Sequence, residues 1–258
     1  MQLNTLARAV FQTLMTAIPE RWQPVGYLIS LTQTLSGCTV RTGPFKGMQY
    51  VSDSIGSVYI PKLLGIYEKE LAGVVEAACA LGVRSIINIG AGEGYYAIGM
   101  ALRNPKATVV AFEMDVRGRD LLAKMGKMNG VADRVRIEGV CRSSDLLDTT
   151  MDCDGMTLII CDVEGAEKEL LRASNIHSLV STWILVEVHN FVCPGITECL
   201  TKEFSSTHRI TEIWQEEREA SDFPYRTWGT RMLPSKYLRS AVSEWRPERM
   251  SWLWIEPR

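Results

Sequence analysis

The sequence predicts an α/β fold built on one mostly parallel sheet. Between about residues 83 and 215, short runs rich in β-branched residues alternate with stretches of helical periodicity. These runs are apolar throughout, which is typical of strands covered by helices on both faces. Several of the runs end in glycine or in an acidic residue. Ligands bind beyond the carboxyl ends of parallel strands, so this pattern also predicts a binding crevice.

The alternation can be resolved into individual elements. Asn104-Pro105 ends the first helix of the alternating region, and Gly130 stands where a helix C-terminal cap is expected. The predicted strands are residues 83–89, 107–112, 134–138, 156–161, 182–188, 209–214 and 251–256. The predicted helices are residues 95–103, 116–129, 166–171 and 195–204.

The two flanks of the alternating region have different patterns. Residues 1–80 are predicted to form a helical cap, because apolar residues from Leu3 to Ile18 recur at helical spacing. Residues 81–258 are predicted to form the ligand-binding domain. Within that domain, residues 216–249 are rich in charge, tryptophan and proline, and we expect them to be an insertion on the substrate side before the last strand.

Composition restricts the classes of partner. The 258 residues are 46% hydrophobic, with a net charge of −2 and seven cysteines but no Cys-x-x-Cys pair. A chain without a basic surface is not expected to attract nucleic acid. The first residues do not resemble a secretory signal, and no apolar run is long enough to span a membrane. We therefore expect a cytoplasmic protein with a small-molecule substrate, with a homodimer left open.

A glycine-rich turn follows the first predicted strand. Its spacing is Gly-x-Gly-x-Gly at residues 90–94, and Glu113 ends the next strand. The N–H groups at such a turn bind a ligand, and an acidic residue after the second strand binds ribose hydroxyls. A dinucleotide site has Gly-x-Gly-x-x-Gly, and Glu93 inside this shorter turn would repel a pyrophosphate. The residues therefore favour S-adenosylmethionine, which contains no phosphate.

These residues resemble the class I S-adenosylmethionine-dependent methyltransferases. The run Asp-Val-Glu-Gly-Ala-Glu at 162–167 and the run Val-Glu-Val-His at 186–189 resemble one branch, the FkbM family. The resemblance covers about residues 43–215. It implies a Rossmann-like sheet of seven strands with an antiparallel last strand. It also implies O-methylation of a small molecule, at a hydroxyl or carboxyl group of a sugar or natural product.

The resemblance assigns parts of the cofactor to individual residues. Tyr95 and the glycine turn would hold the amino acid end, and Asp162 would face its ammonium or the reacting centre. Glu113 would hold the ribose, while Met114 and Val140 would border the adenine. The predicted cofactor-binding residues are Gly90, Ala91, Gly92, Tyr95, Glu113, Met114, Val140 and Asp162.

Methylation of a hydroxyl also requires loss of its proton. His189, Asp162 and Glu187 are the predicted catalytic residues, and a neutral imidazole accepts a proton near pH 7. Glu187 and His189 lie two apart on a strand and share a face. The same three residues could gather a divalent ion, but they do not match the carboxylate pattern of cation-dependent O-methyltransferases, so no metal is predicted. Glu167 is expected to cap a helix N-terminus.

Two interpretations concern the last third of the chain. Trp228 is the preferred contact for the acceptor. A solvated face of mixed charge is expected from the late arginines and the glutamates between them, Arg231, Arg239, Arg246, Arg249, Arg258, Glu244 and Glu248. Two functions of other classes remain open. They are a cyclase or lyase that uses the same cofactor without methylating, and a protein that binds the cofactor without chemistry. A nucleotide-linked oxidoreductase is disfavoured by the spacing of the turn.

Overall fold

A computed structural model describes residues 24–52, 58–153, 155–172 and 177–258 of the chain. The helix predicted from Leu3 to Ile18 lies outside these residues. Among the described residues, no helix is long and apolar enough to cross a membrane. All seven cysteines are free thiols.

Seven strands form a single sheet in the order β3-β2-β1-β4-β5-β7-β6. Only β7 runs antiparallel to its neighbours, β5 and β6. This is the seven-stranded, mostly parallel sheet that the sequence predicts, so the predicted fold class is confirmed. The strands are β1 Ser85–Ile89, β2 Thr108–Phe112, β3 Val135–Glu138, β4 Thr157–Cys161, β5 Trp183–Val188, β6 His208–Trp214 and β7 Ser251–Pro257.

Ten α-helices flank the sheet in the described part of the chain. Short 3-10 turns at Lys69–Leu71, Ala132–Arg134, His177–Ser181 and Ala220–Asp222 connect some of them. The helices are α1 Pro24–Ser36, α2 Tyr59–Leu64, α3 Ala72–Ala80, α4 Tyr95–Arg103, α5 Val116–Met128, α6 Ser143–Met151, α7 Glu167–Leu170, α8 Ile196–Phe204, α9 Trp228–Met232 and α10 Ser235–Val242.

The predicted elements of the alternating region are all present, and their ends differ from the prediction by one or two residues. One helix in this region was missed. The sequence interpretation placed no element between β3 and β4, where α6 lies. Its signal is local: the side chain of Asp145, in the first turn, accepts a hydrogen bond from the backbone N–H of Arg142, the residue before the helix.

Alternate residues of the central strands enter opposite layers of the core. On β1, Ile86 packs in one layer and Ile87 in the other, as the two-residue period of a strand requires. The first layer includes Ile98 of α4 and the second includes Phe204 of α8. Both faces of the central strands are therefore dry, which leaves the ends of these strands as the places where polar groups can gather.

A third apolar cluster joins two segments that are far apart in the sequence. Leu28 of α1 and Leu64 of α2 pack with Phe223 and with Leu238 and Val242 of α10. The N-terminal segment and the insertion before β7 therefore share one core. Together they stand beside the carboxyl end of the sheet, and their position limits the space available to a ligand there.

Phe45 ties the N-terminal segment to α4. Its ring lies against Gly99, where an added Cβ would come within 2.5 Å of ring atoms. We predict that Gly99→Ala lowers the free energy of unfolding by roughly 1–2 kcal/mol, because overpacking outweighs the gain in helix propensity. Gly73→Ala in α3 is the matched control, since nothing lies within 4 Å of its added Cβ. Urea unfolding measures both, and equal effects would contradict the packing argument.

Candidate active site

The glycine turn joins the end of β1 to the start of α4. Gly90 has φ +78°, and an added Cβ would lie 1.6 Å from the backbone oxygen of Asp162. Only glycine fits there, because β1 and β4 approach each other so closely. Gly92 has φ +53° and no atom within 4 Å of its Cβ position. The turn is thus packed against β4 on one side and open on the other.

Glu113 holds the turn in this conformation. Its Oε2 accepts a hydrogen bond from the backbone N–H of Gly92 at 2.6 Å, and its Oε1 accepts one from Asp115 at 2.7 Å. The side chain is largely buried beside Gly118, whose missing Cβ leaves room for it. A carboxylate has about four lone-pair positions. Glu113 therefore retains acceptor capacity for a ligand after both of these bonds.

A cavity of about 510 Å³ opens at the carboxyl ends of β1, β2, β4 and β5. This volume is in the range of small-molecule and cofactor sites. Every predicted cofactor-binding and catalytic residue lies in its wall. These residues are Gly90, Ala91, Gly92, Tyr95, Glu113, Met114, Val140, Asp162, Glu187 and His189.

One part of the cavity wall is apolar and exposed to solvent. Met114 is 77% exposed and Val140 is 55% exposed, so both offer uncovered apolar surface beside Glu113. Phe191 and Trp245 also line the cavity and are exposed. Trp228, the tryptophan preferred from the sequence, does not line the cavity and lies on the surface at the start of α9. Trp245 lies in the cavity wall, where Trp228 was expected.

The structure corrects the argument made from Glu93. Its carboxylate is fully buried behind the turn, where it is bound by Lys62 Nζ at 2.7 Å and by the hydroxyl of Tyr50. Burial would raise the pKa of Glu93, but Lys62 and Tyr50 hold it below its usual value. A neutralised carboxylate outside the cavity wall does not repel a pyrophosphate. Discrimination between ligands must come from the groups that do line the cavity.

His189 lies buried among acidic side chains. Its Nδ1 is 2.6 Å from Oε1 of Glu167, and its Nε2 is 3.3 Å from Glu164, 3.5 Å from Asp162 and 3.7 Å from Glu187. Glu167 begins α7, as predicted, and also accepts the N–H of Gly165. Its main contact, however, is with the imidazole. Glu167 therefore orients the imidazole of His189 as well as beginning α7.

The charges around this cluster alter its proton affinities. Burial and the neighbouring Glu68 raise the pKa of Asp162 to about 7, although His189 and Arg246 oppose the rise. Burial alone would lower the pKa of His189, but Glu167, Asp162 and Glu164 outweigh it and raise the pKa above its usual value. The neighbouring carboxylates thus stabilise the protonated imidazole. The proton-accepting role of His189 stays a prediction, and it requires this proton to leave first.

Arg246 lies at the centre of a buried ion network. Its guanidinium binds Glu68 and Glu187, and its Nε contacts Glu244 at 3.2 Å. Glu244 also binds Arg218. The side chain of Arg246 is 11% exposed and that of Glu244 is 1% exposed, so the expectation of a solvated face is wrong for both. The insertion before β7 instead places a cation against β5 and a wall of the cavity.

Sequence reasoning missed Lys62, Glu68, Tyr96 and Arg246. Their contacts depend on segments that are distant in the chain, such as the hydrogen bond from the Tyr96 hydroxyl to Glu68. Glu68 does lie within residues 43–215, the span that the resemblance covers, but the resemblance assigned it no role. Arg246 lies in a zone without any matching pattern, so nothing in the sequence separated it from the neighbouring arginines.

Comparisons with known proteins describe the fold and no more. No family model and no curated protein matches the chain. Human methyltransferase 10 domain containing protein is 12% identical, with 90% of this chain and 96% of that chain covered and a TM-score of 0.48. Cofactor-bound Rv0187 from MTB is 15% identical, with 76% and 83% covered and a TM-score of 0.46. The StiE O-MT is 15% identical, with 86% and 91% covered and a TM-score of 0.43. Likenesses this distant carry no argument about activity.

The buried network makes a specific prediction about stability. We expect Arg246→Met to lower the free energy of unfolding by about 3–5 kcal/mol, because it leaves buried carboxylates without their cation. Arg239→Met in the same segment is the control. Its partner is the exposed Glu217, and we expect a change below about 1 kcal/mol. Chemical denaturation of both variants measures this difference, and comparable losses would show that the network does not hold the insertion in place.

Proposed function

We propose that this protein is an S-adenosylmethionine-dependent methyltransferase that methylates an oxygen of a small molecule. The observation that carries the proposal is the acid-rich cavity at the carboxyl end of the sheet. It brings the glycine turn, Glu113 and Asp162 to one site. The finer assignment to the FkbM family rests on the runs at 162–167 and 186–189, which supply Asp162 and His189 to this cavity.

Charge is the argument for this cofactor. The side chains of five acidic residues line the cavity, while the cations Lys62 and Arg246 are already paired with buried glutamates. S-Adenosylmethionine has a sulfonium and an ammonium against one carboxylate, so its net charge is positive. Glu187 and Glu244 are paired with Arg246, so the repulsion of a pyrophosphate would come from Glu113, Asp162 and Glu164. The lining acidic residues are Glu113, Asp162, Glu164, Glu187 and Glu244.

The cavity wall suggests where each part of the cofactor binds. The amino acid end would approach Gly90 and Gly92, which both line the cavity. The ribose hydroxyls would donate to Glu113, which has acceptor capacity left. The adenine would cover Met114 and Val140 and bury their exposed apolar surface. Each of these contacts uses a group that is otherwise without a ligand-sized partner.

The acceptor would enter from the side of His189 and Trp245. In the reaction, a lone pair of the acceptor oxygen forms a bond to the methyl carbon and the carbon–sulfur bond breaks. The sulfonium becomes a neutral thioether, and the hydroxyl proton leaves to the acidic cluster. Alignment contributes most of the rate, since the sulfonium is already an activated donor. Glu187 is held by Arg246 and is suited to positioning, whereas Asp162 and His189 face the cavity.

Cofactor binding tests the role of Glu113. We predict that Glu113→Ala weakens binding of S-adenosylmethionine about 10-fold or more, because a hydrogen bond to a charged group is worth ~1.5–3 kcal/mol. Glu138→Gln is the control, since Glu138 ends the neighbouring strand and does not line the cavity. Calorimetric titration gives both affinities, with NAD⁺ as the competing ligand.

Glu113 also holds the glycine turn, so a second measurement separates the two effects. The original protein should bind a 2′-deoxyribose analogue of the cofactor more weakly than it binds S-adenosylmethionine. The Glu113→Ala variant should bind the analogue and S-adenosylmethionine equally well. If the analogue loses the same affinity with both proteins, Glu113 does not bind the ribose. Tight binding of NAD⁺ in preference to S-adenosylmethionine would overturn the cofactor proposal itself.

Turnover tests the acceptor side. With methyl-labelled cofactor and fractionated metabolite extracts, we expect label to move to a small molecule. His189→Ala should slow this transfer about 100-fold with little change in cofactor affinity. The exposed Trp228→Ala should have no effect. An unchanged rate in His189→Ala would return His189 to a structural role. Binding without any transfer of label would favour the non-methylating alternatives.

A further inference from the structure

We propose that Asp162, Glu164 and His189 form a binding site for a divalent metal ion. Each offers one ligand atom, and the three atoms lie within 4.8 Å of one another. Two ligands held at about 2.1 Å from one ion in tetrahedral geometry are about 3.4 Å apart. The Nε2 atom of His189 is 3.3 Å from Glu164 and 3.5 Å from Asp162. These two separations match an ion bound by His189 and by each carboxylate, and the 4.8 Å bound keeps the two carboxylates on the same side of the imidazole.

The imidazole is already oriented for this purpose. Nδ1 of His189 lies 2.6 Å from Oε1 of Glu167, which directs Nε2 toward the other two residues. Glu167 is completely buried and cannot turn away to solvent. Histidines that bind metals commonly donate their second ring N–H to a carboxylate in this way, and the carboxylate fixes the ring and raises its basicity.

A second observation points to a missing ligand. The Oδ1 atom of Asp162 is buried and has no hydrogen-bond partner among the described residues. His189 is 2% exposed, and its Nε2 contacts to Asp162 and Glu164 are longer than the about 2.7–2.9 Å of a charge-assisted hydrogen bond. The Asp162 side chain as a whole is 30% exposed, but its Oδ1 atom is shielded from water, and an acceptor atom without a hydrogen-bond partner is destabilising there. A cation between these atoms would satisfy them together.

Glu187 does not belong to this site, although the sequence places it two residues from His189. Its Oε1 is bound by Arg246, and its Oε2 lies 3.7 Å from Nε2. The Glu187 carboxylate is therefore satisfied by Arg246 and is not offered to a metal. Glu164, from the turn after β4, supplies the third ligand instead, and its side chain is 75% exposed. Ions can therefore enter from solvent on that side.

Two carboxylates and one imidazole suit a divalent ion of the first transition row. Carboxylates prefer Mg²⁺, Ca²⁺ and Mn²⁺, whereas imidazole favours the later metals, so a mixed set selects an ion that accepts both. The ion would stand in the cavity wall and polarise an acceptor hydroxyl. That use rests on the proposed function, but the binding site itself does not depend on it.

Mn²⁺ alone is the probe for this site. We expect the protein without added S-adenosylmethionine to bind one Mn²⁺ per chain, measured by loss of the electron paramagnetic resonance signal of the free ion. Pulsed resonance should detect coupling to a bound imidazole nitrogen. Glu164→Gln should weaken binding about 10-fold or more, since it removes an ionised ligand from an exposed position with little risk to folding. Glu167→Gln should weaken it about 10–100-fold.

Two control variants separate this site from adventitious binding. Glu169→Gln changes an exposed carboxylate on the same short helix, and His177→Gln changes an exposed histidine. Neither should alter affinity or nitrogen coupling. No stoichiometric binding, an affinity unchanged by Glu164→Gln, or bound Mn²⁺ without nitrogen coupling would each overturn the proposal. Cofactor binding is measured separately without metal. A protein that fails to bind Mn²⁺ therefore leaves the proposed function standing, and a protein that fails to bind S-adenosylmethionine leaves the metal site standing.

Discussion

The architecture of the site depends on the need of buried carboxylates for a positive neighbour. Arg246 meets that need for Glu68, Glu187 and Glu244 at once. These groups come from the N-terminal segment, from β5 and from the insertion, so one guanidinium holds three parts of the chain together. An unpaired buried charge costs several kcal/mol. The cavity wall is therefore stable only when the insertion is docked, which links folding of the C-terminal zone to the formation of the site.

The same electrostatic reasoning explains which ligands the cavity favours. Glu93 is neutralised by Lys62 behind the turn, and Glu187 is neutralised by Arg246. Asp162 and Glu164 instead share His189 as an ion-pair partner. Negative charge therefore remains on the cavity side of the turn and not within it. This distribution favours a ligand of positive charge, and it locates the place where a cation would relieve the most repulsion.

The sequence predicted the sheet well, because its strands are apolar on both faces and its helices have clear ends. The cavity-lining residues from Gly90 to His189 were also predictable, since parallel strands place their carboxyl ends at one edge. Roles were harder to predict. Glu93 stands in the turn in the sequence, yet its side chain points away from the cavity. Arg246 and Glu244 have the composition of a solvated face, yet they are buried.

The sequence by itself determined the succession of the strands along the chain and of most helices between them. It also determined the edge of the sheet where polar groups collect. Local periodicity is sufficient for this, because the spacing of apolar residues shows which faces of a helix or strand are buried. Only the tertiary structure decided which charges meet. The partner of Glu187 is 59 residues away and that of Glu68 is 178 residues away, and no local pattern encodes such pairs. They follow from docking the insertion onto the N-terminal segment through a shared apolar core, whose contacts exist only in three dimensions.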